Sequence, residues 1–157
     1  MIKLTEVNEQ NWLEVRRLSV GEAQAGFLDT AVGILARGYV YRDARARVAA
    51  IADDDTMIGV ALVKDLDEEP ACYDLQQLLI DRRYQGKGYG TLALRLLLSD
   101  LAVERKYDCV EVCVKKSNAA ALRVFEKAGF FDTGYTDGDA PDWVNLRCCF
   151  GPKQGDI

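Results

Sequence analysis

Three glycines, Gly86, Gly88 and Gly90, separate an apolar run that ends at Ile80 from a leucine-rich run that begins at Leu92. Glycine accepts positive φ and lets another group approach the main chain closely. The stretch therefore predicts a strand that turns sharply into the N-terminus of a long helix. A chain with such a turn at its centre is expected to form a layered α/β fold.

The glycine stretch is also basic, because Arg82, Arg83 and Lys87 surround it. The first N–H groups of a helix have no intrahelical partner and carry partial positive charge. These features favour a diphosphate ligand. The spacing does not match the dinucleotide fingerprint, which needs glycine at Thr91, or the Walker motif, which needs Ser or Thr directly after Lys87. The alternative interpretation is a plain turn without a ligand.

The rest of the chain alternates between strand-like and helix-like patterns. We predict strands at 2–7, 46–52, 57–66, 72–80, 108–114, 130–135 and 143–150. Helices are predicted at 8–20, at 91–106 and at 118–129, and a weaker one starts after Asp29 or Thr30, which would cap it, and runs to about Tyr41. The order β-α-α-β-β-β-α-β-α-β-β predicts an α/β (α+β) fold, a mixed sheet of about seven strands with helices on both faces. Gly129 is expected to end the last helix in the left-handed conformation.

Two finer expectations concern packing and domain organisation. In the helix at 91–106, the apolar face is expected to contain Leu92, Leu96, Ala102 and Val103. No repeat, low-complexity tract or linker interrupts the chain, so we expect a single domain over residues 1–150 and a loose tail at 151–157.

The chain of 157 residues contains no histidine. This excludes Ser-His-Asp and Cys-His nucleophilic machinery and removes the commonest metal ligand, so we expect no metal site. A net charge of -5 argues against a nucleic-acid partner, whose phosphates require basic surfaces. No run is long enough to span a membrane, and the N-terminus lacks the apolar segment of a secretory signal, so a cytoplasmic location is expected.

The five cysteines are an odd number without a CxxC spacing, and four of them fall in apolar, strand-like runs. They are expected to be reduced core residues rather than redox groups.

Two motifs resemble those of the GNAT superfamily of acetyl-CoA-dependent N-acetyltransferases. The segment Gln85 to Gly90 is similar to the family's Gln/Arg-x-x-Gly-x-Gly/Ala signature, and the segment Ser117 to Phe130 to its Asn-x-x-Ala-x-x-x-Tyr-x-x-x-Gly-Phe block. The element order also resembles that of the family. The resemblance implies an enzyme that uses acetyl-CoA as co-substrate and transfers the acetyl group directly to an amine. A homodimer is common among such proteins.

The same resemblance assigns a coenzyme site. The N–H groups from Gln85 to Gly90 would hold the pyrophosphate, the strand end at 78–80 would pair with the pantetheine arm, and Asn118 would hydrogen-bond to that arm. Asn118 is also a good helix cap, and the two roles are compatible. The cofactor-binding residues expected in this way are Leu78, Leu79, Ile80, Gln85, Gly86, Lys87, Gly88, Tyr89, Gly90, Thr91, Asn118 and Phe125.

The chain departs from the family at the usual proton donor, because Phe125 stands where the motif has tyrosine. Water, Ser117, Cys113 or Tyr135 are the alternatives for protonating the departing thiolate, which has a pKa of about 8.5 and can also leave unaided. For the base, the strand before the glycines offers Asp74, with Gln76 two residues along on the same face. A water chain without a dedicated base is the alternative.

For the acceptor, the segment from Asn11 to Thr30 and the segment from Leu78 to Gly90 resemble bacterial polyamine (spermine and spermidine) acetyltransferases. This implies a small cationic amine as substrate, with Glu22 and Asp29 as its acidic contacts. A further group, Asp137, Asp139 and Asp142, could attract a polycation. Gln76 departs from the polyamine enzymes, which have an acidic residue there. The other hypotheses are a coenzyme-binding module that has lost turnover and an enzyme that acetylates peptides or proteins.

Overall fold

The computed structural model describes residues 1–152, which form seven strands, four helices and three short 3-10 turns. The helices and strands are β1 (Ile2–Glu6), α1 (Trp12–Val15), α2 (Ala31–Val40), β2 (Arg47–Asp53), β3 (Thr56–Leu66), β4 (Cys72–Ile80), α3 (Tyr89–Glu104), β5 (Cys109–Lys115), α4 (Ala119–Lys127), β6 (Phe131–Asp132) and β7 (Trp143–Cys149). The predicted mixed sheet and the predicted element order are confirmed. The predicted tail at 151–157 lies largely outside the described residues.

One seven-stranded sheet has the order β1-β2-β3-β4-β5-β7-β6. All neighbouring strands are antiparallel except β4 and β5, which are parallel and connected through α3. The β4–β5 pairing consists only of Tyr73 opposite Val110 and Asp74 opposite Glu111. Beyond Asp74 the two strands diverge, whereas β4 stays paired with β3 as far as Ile80. This divergence opens the sheet at its centre.

Helices cover both faces of the sheet. On one face, Leu94 and Leu97 of α3 and Phe125 of α4 pack against apolar residues of β3, β4, β5 and β7. On the other face, Val15 of α1 and Ile34 of α2 pack against strands β2, β3 and β4. Burial of these apolar side chains is the main source of stability for such a layered fold. Among residues 1–152, no helix is long and apolar enough to cross a membrane.

The first helix is shorter than predicted, since α1 ends at Val15. The chain turns where Ser19 is held from two sides: its N–H donates to the Asp81 side chain at 3.0 Å, and its carbonyl accepts from the Arg82 N–H at 2.9 Å. The last predicted strand pair is also shorter, because β6 contains only two residues. Gly129 follows α4 with φ of 99°, as predicted.

The predicted apolar face of α3 is wrong. Leu92, Leu96 and Val103 are 46%, 36% and 85% exposed, and Ala102 is not among the buried residues either. The buried face instead contains Ala93, Leu94, Leu97 and Leu101. A helix with leucines around most of its circumference has no single apolar stripe, so its periodicity cannot select the face that meets the sheet.

The expectation that all cysteines are reduced core residues is also wrong. Cys109 and Cys149 lie directly opposite each other in the β5–β7 register and form a disulfide. Cys72, Cys113 and Cys148 are free, and Cys113 is exposed rather than in the core.

Candidate active site

A cleft of about 430 Å³ occupies the opening between β4 and β5. Its walls are the C-terminal half of β4, the glycine turn, the end of β5, α4 and the segment 20–28 that precedes α2. The cleft thus lies where the only parallel pair in the sheet separates. Ligand sites in open α/β sheets form at such strand ends.

The glycine turn presents its backbone to this cleft. Gly86 and Gly88 have φ of 75° and 83°, and a Cβ at either position would meet no atom within 4 Å. Within residues 1–152, no backbone N–H of residues 85–91 donates a hydrogen bond, and the first backbone N–H of α3 to do so is that of Leu92, to the Gly88 carbonyl at 3.1 Å. Consecutive free N–H groups at a helix N-terminus form an anion-binding concavity.

The buried carboxylate of Asp81 fixes the start of this turn. Asp81 is only 1% exposed and accepts hydrogen bonds from the Ser19 N–H, the Arg83 N–H and the Arg83 Nε at 3.0, 3.0 and 2.8 Å. Burial alone would raise the pKa of Asp81, but the bonds from Arg83 and Ser19 hold that pKa below its ordinary value. Asp81 therefore stays ionised and joins the α1 end of the molecule to the turn.

The side chain of Gln85 connects three parts of the cleft wall. Its Nε2 donates to the carbonyl of Ile80 at 2.8 Å and to Oε1 of Gln24 at 2.7 Å. Both protons of that amide nitrogen are thereby used. A second anchor is the Tyr89 hydroxyl, which donates to Asp53 at 2.8 Å. The turn is thus held from β2, from β4 and from the segment before α2.

The cleft is also lined by three basic side chains that were not predicted from the sequence. These are Lys115 at the end of β5, and Arg123 and Lys127 on α4. Arg123 and Lys127 are four residues apart and so lie on one face of α4, which was the signal available in the sequence. Of the basic residues that were singled out, Arg83 is paired with Asp81, and Lys87 does not line the cleft.

Asn118, just before α4, and Phe125, on α4, both line the cleft. The Asn118 side chain accepts from the Ala121 N–H at 3.2 Å and so caps α4. Phe125 is 6% exposed and packs edge-to-face on Phe130, with ring centroids 5.2 Å apart. The position of the motif tyrosine is therefore inside the cleft wall but carries no hydroxyl group.

Cys113 is the thiol among the expected proton donors, and it lines the cleft. Its Sγ lies 3.9 Å from Oδ1 of Asn145. Although the residue is exposed, desolvation by the surrounding cleft wall raises the pKa of the Cys113 thiol, and the charges of Asp74 and Glu111 add to this shift. The other side-chain alternatives lie elsewhere: Ser117 does not line the cleft, and Tyr135 is 64% exposed between β6 and β7. Cys113 is thus the one of the three that the fold brings to the cleft.

Asp74 and Gln76 lie next to each other, but only Gln76 lines the cleft. The Gln76 Nε2 donates to Oδ2 of Asp74 at 3.3 Å, and Lys64 Nζ lies 3.5 Å from the same oxygen. Burial raises the pKa of Asp74 in spite of the opposing charge of Lys64. Oε1 of Gln76 is buried and has no hydrogen-bond partner among the described residues.

The two expected acidic contacts for an acceptor do not line the cleft. Asp29 is paired with Arg37 at 2.8 Å, and its Oδ1 accepts from the Thr30 N–H at the start of α2. Glu22 is exposed at the start of a 3-10 turn. The acidic group at Asp137, Asp139 and Asp142 lies in the exposed connection that precedes β7 and also does not line the cleft.

A seven-stranded mixed sheet, open between two parallel strands beside a glycine turn, defines a class of acetyltransferase folds. The chain belongs to the acetyltransferase (GNAT) family, which matches residues 10–130. The family inferred from the two motifs is thereby confirmed.

Individual proteins resemble part of the chain. It is 32% identical over 81 residues to a spermine/spermidine N(1)-acetyltransferase of Bacillus subtilis (strain 168), a match that covers 52% of this chain and 53% of that protein. The chain thus spans about half the length of the curated relatives it matches.

Two solved structures share the fold over nearly the whole chain. One is a spermidine N-acetyltransferase from Vibrio cholerae in complex with CoA and spermine, with a TM-score of 0.73, 15% identity and coverage of 94% of this chain and 95% of that one. The other is the aminoglycoside acetyltransferase AAC(6')-Ib with ribostamycin and coenzyme A, with a TM-score of 0.77, 22% identity and coverage of 94% and 93%. At 15% and 22% identity, these two similarities establish a shared fold and nothing more specific.

Proposed function

We propose that this protein is an N-acetyltransferase that moves the acetyl group of acetyl-CoA directly to a primary amine of a small molecule. The observation that carries the proposal is the row of unbonded N–H groups at 85–91, at the mouth of the opening between β4 and β5. Structures of CoA complexes with the same fold and the N-acetyltransferase names of the relatives support the proposal.

The residues present fit the coenzyme. The free N–H groups of the glycine turn would hold the pyrophosphate, because they offer several donors and the positive end of α3. Residues 75–80 of β4 have no partner strand on the β5 side, so their backbone would pair with the amide groups of the pantetheine arm. Lys115, Arg123 and Lys127 would neutralise the remaining phosphate charge.

The reaction requires one bond to form and one to break. The unprotonated amine nitrogen attacks the thioester carbonyl carbon, the C–N bond forms, and the C–S bond breaks. The nitrogen loses one proton and the sulfur gains one, so that an N-acetylated amine and free CoA result. Holding the two reactants side by side in the cleft supplies much of the rate enhancement.

The proton steps fall to groups that the fold brings near the cleft. We assign Asp74 as the final proton acceptor, reached through water, because burial raises the pKa of Asp74 toward the range useful for a base. Phe125 cannot protonate the thiolate. The Cys113 thiol, with its raised pKa, or water would supply that proton.

A second candidate is a coenzyme-binding module without turnover, which Phe125 favours because it removes the family's usual acid. Both candidates predict coenzyme binding, and only the enzyme predicts release of free thiol. The deciding experiment incubates the purified protein with acetyl-CoA and a panel of monoamines, diamines, polyamines, aminoglycosides and amino acids, and measures free CoA. Thiol release that depends on an amine supports the enzyme. Tight binding of acetyl-CoA without release with any amine would establish the module instead.

A polyamine acceptor, acylation of peptides, a homodimer, a cytoplasmic location and a single domain over residues 1–150 stay predictions from the sequence. The names of the relatives support the polyamine hypothesis. The charges of the cleft argue for a different acceptor.

A further inference from the structure

The charged side chains that line the cleft are all positive. Among the described residues these are Lys115, Arg123 and Lys127, and no Asp or Glu lines the cleft. All three come from β5 and α4, the side expected to hold the phosphates of the coenzyme. A polyamine carries several ammonium groups, and each one that leaves water needs an opposing charge. The cleft wall offers none.

Three of the carboxylates close to this region are already neutralised, and the exposed Asp137, which is near enough to raise the pKa of the Cys113 thiol, does not line the cleft. Asp29 is paired with Arg37, Asp74 is paired with Lys64, and Glu111 is paired with Arg147. The side chains of Asp74 and Glu111 are 23% and 14% exposed, so these two pairs are largely shielded from solvent. Recruiting one of these carboxylates for a substrate ammonium would leave its present partner without a counter-charge.

The wall opposite the coenzyme side is apolar and aromatic instead. Val20, Phe27 and Leu28 line it from the segment before α2, and Trp143 adds a further aromatic surface to the cleft from the start of β7, beside Lys115 of β5. The polar groups beside them are the neutral amides of Gln24 and Gln76. Such a surface binds an apolar group favourably, because burial of apolar area is stabilising, and it offers no counter-charge to a second ammonium group.

We propose that the acceptor is a primary monoamine on an apolar or aromatic body, and that Phe27, Leu28 and Trp143 recognise this body. The inference rests on the proposed acetyl transfer and names its substrate class. It assigns the preference to the cleft wall itself, and it departs from the polyamine substrates in the names of the relatives.

The sharpest comparison uses hexylamine and 1,6-diaminohexane, which have the same carbon chain and differ by one terminal ammonium. 2-Phenylethylamine and spermidine extend the comparison. With free CoA as the readout, we expect kcat/KM for hexylamine to exceed that for 1,6-diaminohexane by at least about tenfold, a 1.4 kcal/mol difference. Equal values, or a preference for the diamine, would overturn the inference while leaving the acetyltransferase intact. No release with any amine would instead remove the proposed function.

Variants of the wall test its role directly. Trp143→Ala should raise KM for 2-phenylethylamine severalfold, while Trp12→Ala, a tryptophan on α1 outside the cleft, should not change it. Leu28→Glu adds a carboxylate to the apolar wall and should shift the ratio of kcat/KM values toward the diamine by about tenfold. Circular dichroism and affinity for CoA confirm that each variant is folded. A folded Trp143→Ala or Leu28→Glu with wild-type preferences would contradict the assignment.

Discussion

The side-chain amide of Gln85 donates a 2.7 Å hydrogen bond to the side-chain carbonyl of Gln24. This bond joins the glycine turn, on the coenzyme side, to the segment that walls the acceptor side of the same cleft. The two ends of that segment are held by other hydrogen bonds. The Ser19 N–H donates to the Asp81 side chain before the segment, and the Asp29 N–H donates to the Gln77 side chain after it. The Gln24–Gln85 bond is therefore the link that couples the middle of the segment to the coenzyme site.

Breaking this link should affect the amine more than the coenzyme. In Gln24→Ala the N–H groups of the turn remain in place, so affinity for acetyl-CoA should stay within about twofold of wild type, and KM for the amine should rise about fivefold, about 1 kcal/mol for a lost hydrogen bond. Steady-state kinetics and calorimetry measure the two quantities. Gln10→Ala, an exposed glutamine outside the cleft, is the matched control. An equal loss for both ligands would show that Gln24 acts only on the stability of the fold.

A side chain at Gly88 should abolish coenzyme binding. The Cβ would project into open space beside the unbonded N–H groups, where the pyrophosphate is expected. Gly134→Val is a matched control, because Gly134 has φ of 76°, close to the 83° of Gly88, and lies away from the cleft. Both variants have comparable backbone strain. Calorimetry with CoA should show no binding for Gly88→Val and near wild-type binding for Gly134→Val; equal affinities would refute the anion site.

Asp81→Asn should lower stability and change its dependence on pH. The pKa of Asp81 is depressed in the folded protein, so its ionised form stabilises the fold above the unfolded pKa of about 3.9, and this contribution is lost as pH falls through the folded value. We expect the variant to lose about 1–3 kcal/mol near neutral pH and to show a flatter decline on acidification. Urea unfolding at pH 7 and at a pH well below the unfolded pKa of about 3.9 measures both effects. The exposed Asp55→Asn should match wild type, and a variant of Asp81 that loses equal stability at both pH values would exclude the titration.

Asp74→Asn tests the assigned base. If Asp74 accepts the amine proton, the variant should lose about tenfold or more in kcat at pH 7, and less at pH 9.5, where the amine is increasingly unprotonated without help. Lys64→Met provides a second variant. Removing the ammonium group should raise the pKa of Asp74 further and so shift the rising limb of the kcat–pH profile to higher pH. Equal losses at both pH values for Asp74→Asn would remove this role.

The disulfide should contribute to stability. Cys109 and Cys149 are 40 residues apart in sequence, and closing a loop of this length restricts the unfolded chain. Cys109→Ser should therefore lower the free energy of unfolding by about 2–4 kcal/mol under oxidising conditions. Cys148→Ser, in the neighbouring position of β7, controls for the substitution itself. Reductant should bring wild type to the level of the variant, and a wild type that is indifferent to reductant would contradict the bond.

The strand, the glycine turn and the start of α3 could be predicted because their causes are local. The apolar run before Ile80 and the conformational freedom of Gly86 and Gly88 dictate these elements wherever the chain goes next. The mixed sheet followed from the order of such local patterns. The family followed from two motifs that each contain residues of one turn or one helix.

The parts that could not be predicted depend on partners distant in sequence. Asp29 was expected to contact a substrate, but Arg37 of α2 forms an ion pair with it and neutralises its charge. The Cys109–Cys149 bond depends on the register between β5 and β7, which no spacing rule reveals. The buried face of α3 depends on which leucines the sheet accepts.

The early divergence of β4 and β5 leaves a seam in the centre of the sheet that hydrogen bonds do not close. The backbone groups of residues 75–80 that face β5 can form hydrogen bonds only with water, until an amide-rich ligand pairs with them as a strand would. Acetyl-CoA bound there as proposed would be a structural component as well as a reactant, and its arrival should slow amide hydrogen exchange along both edges of this opening. Resistance of the protein to proteolysis would accordingly rise and fall with the supply of the coenzyme.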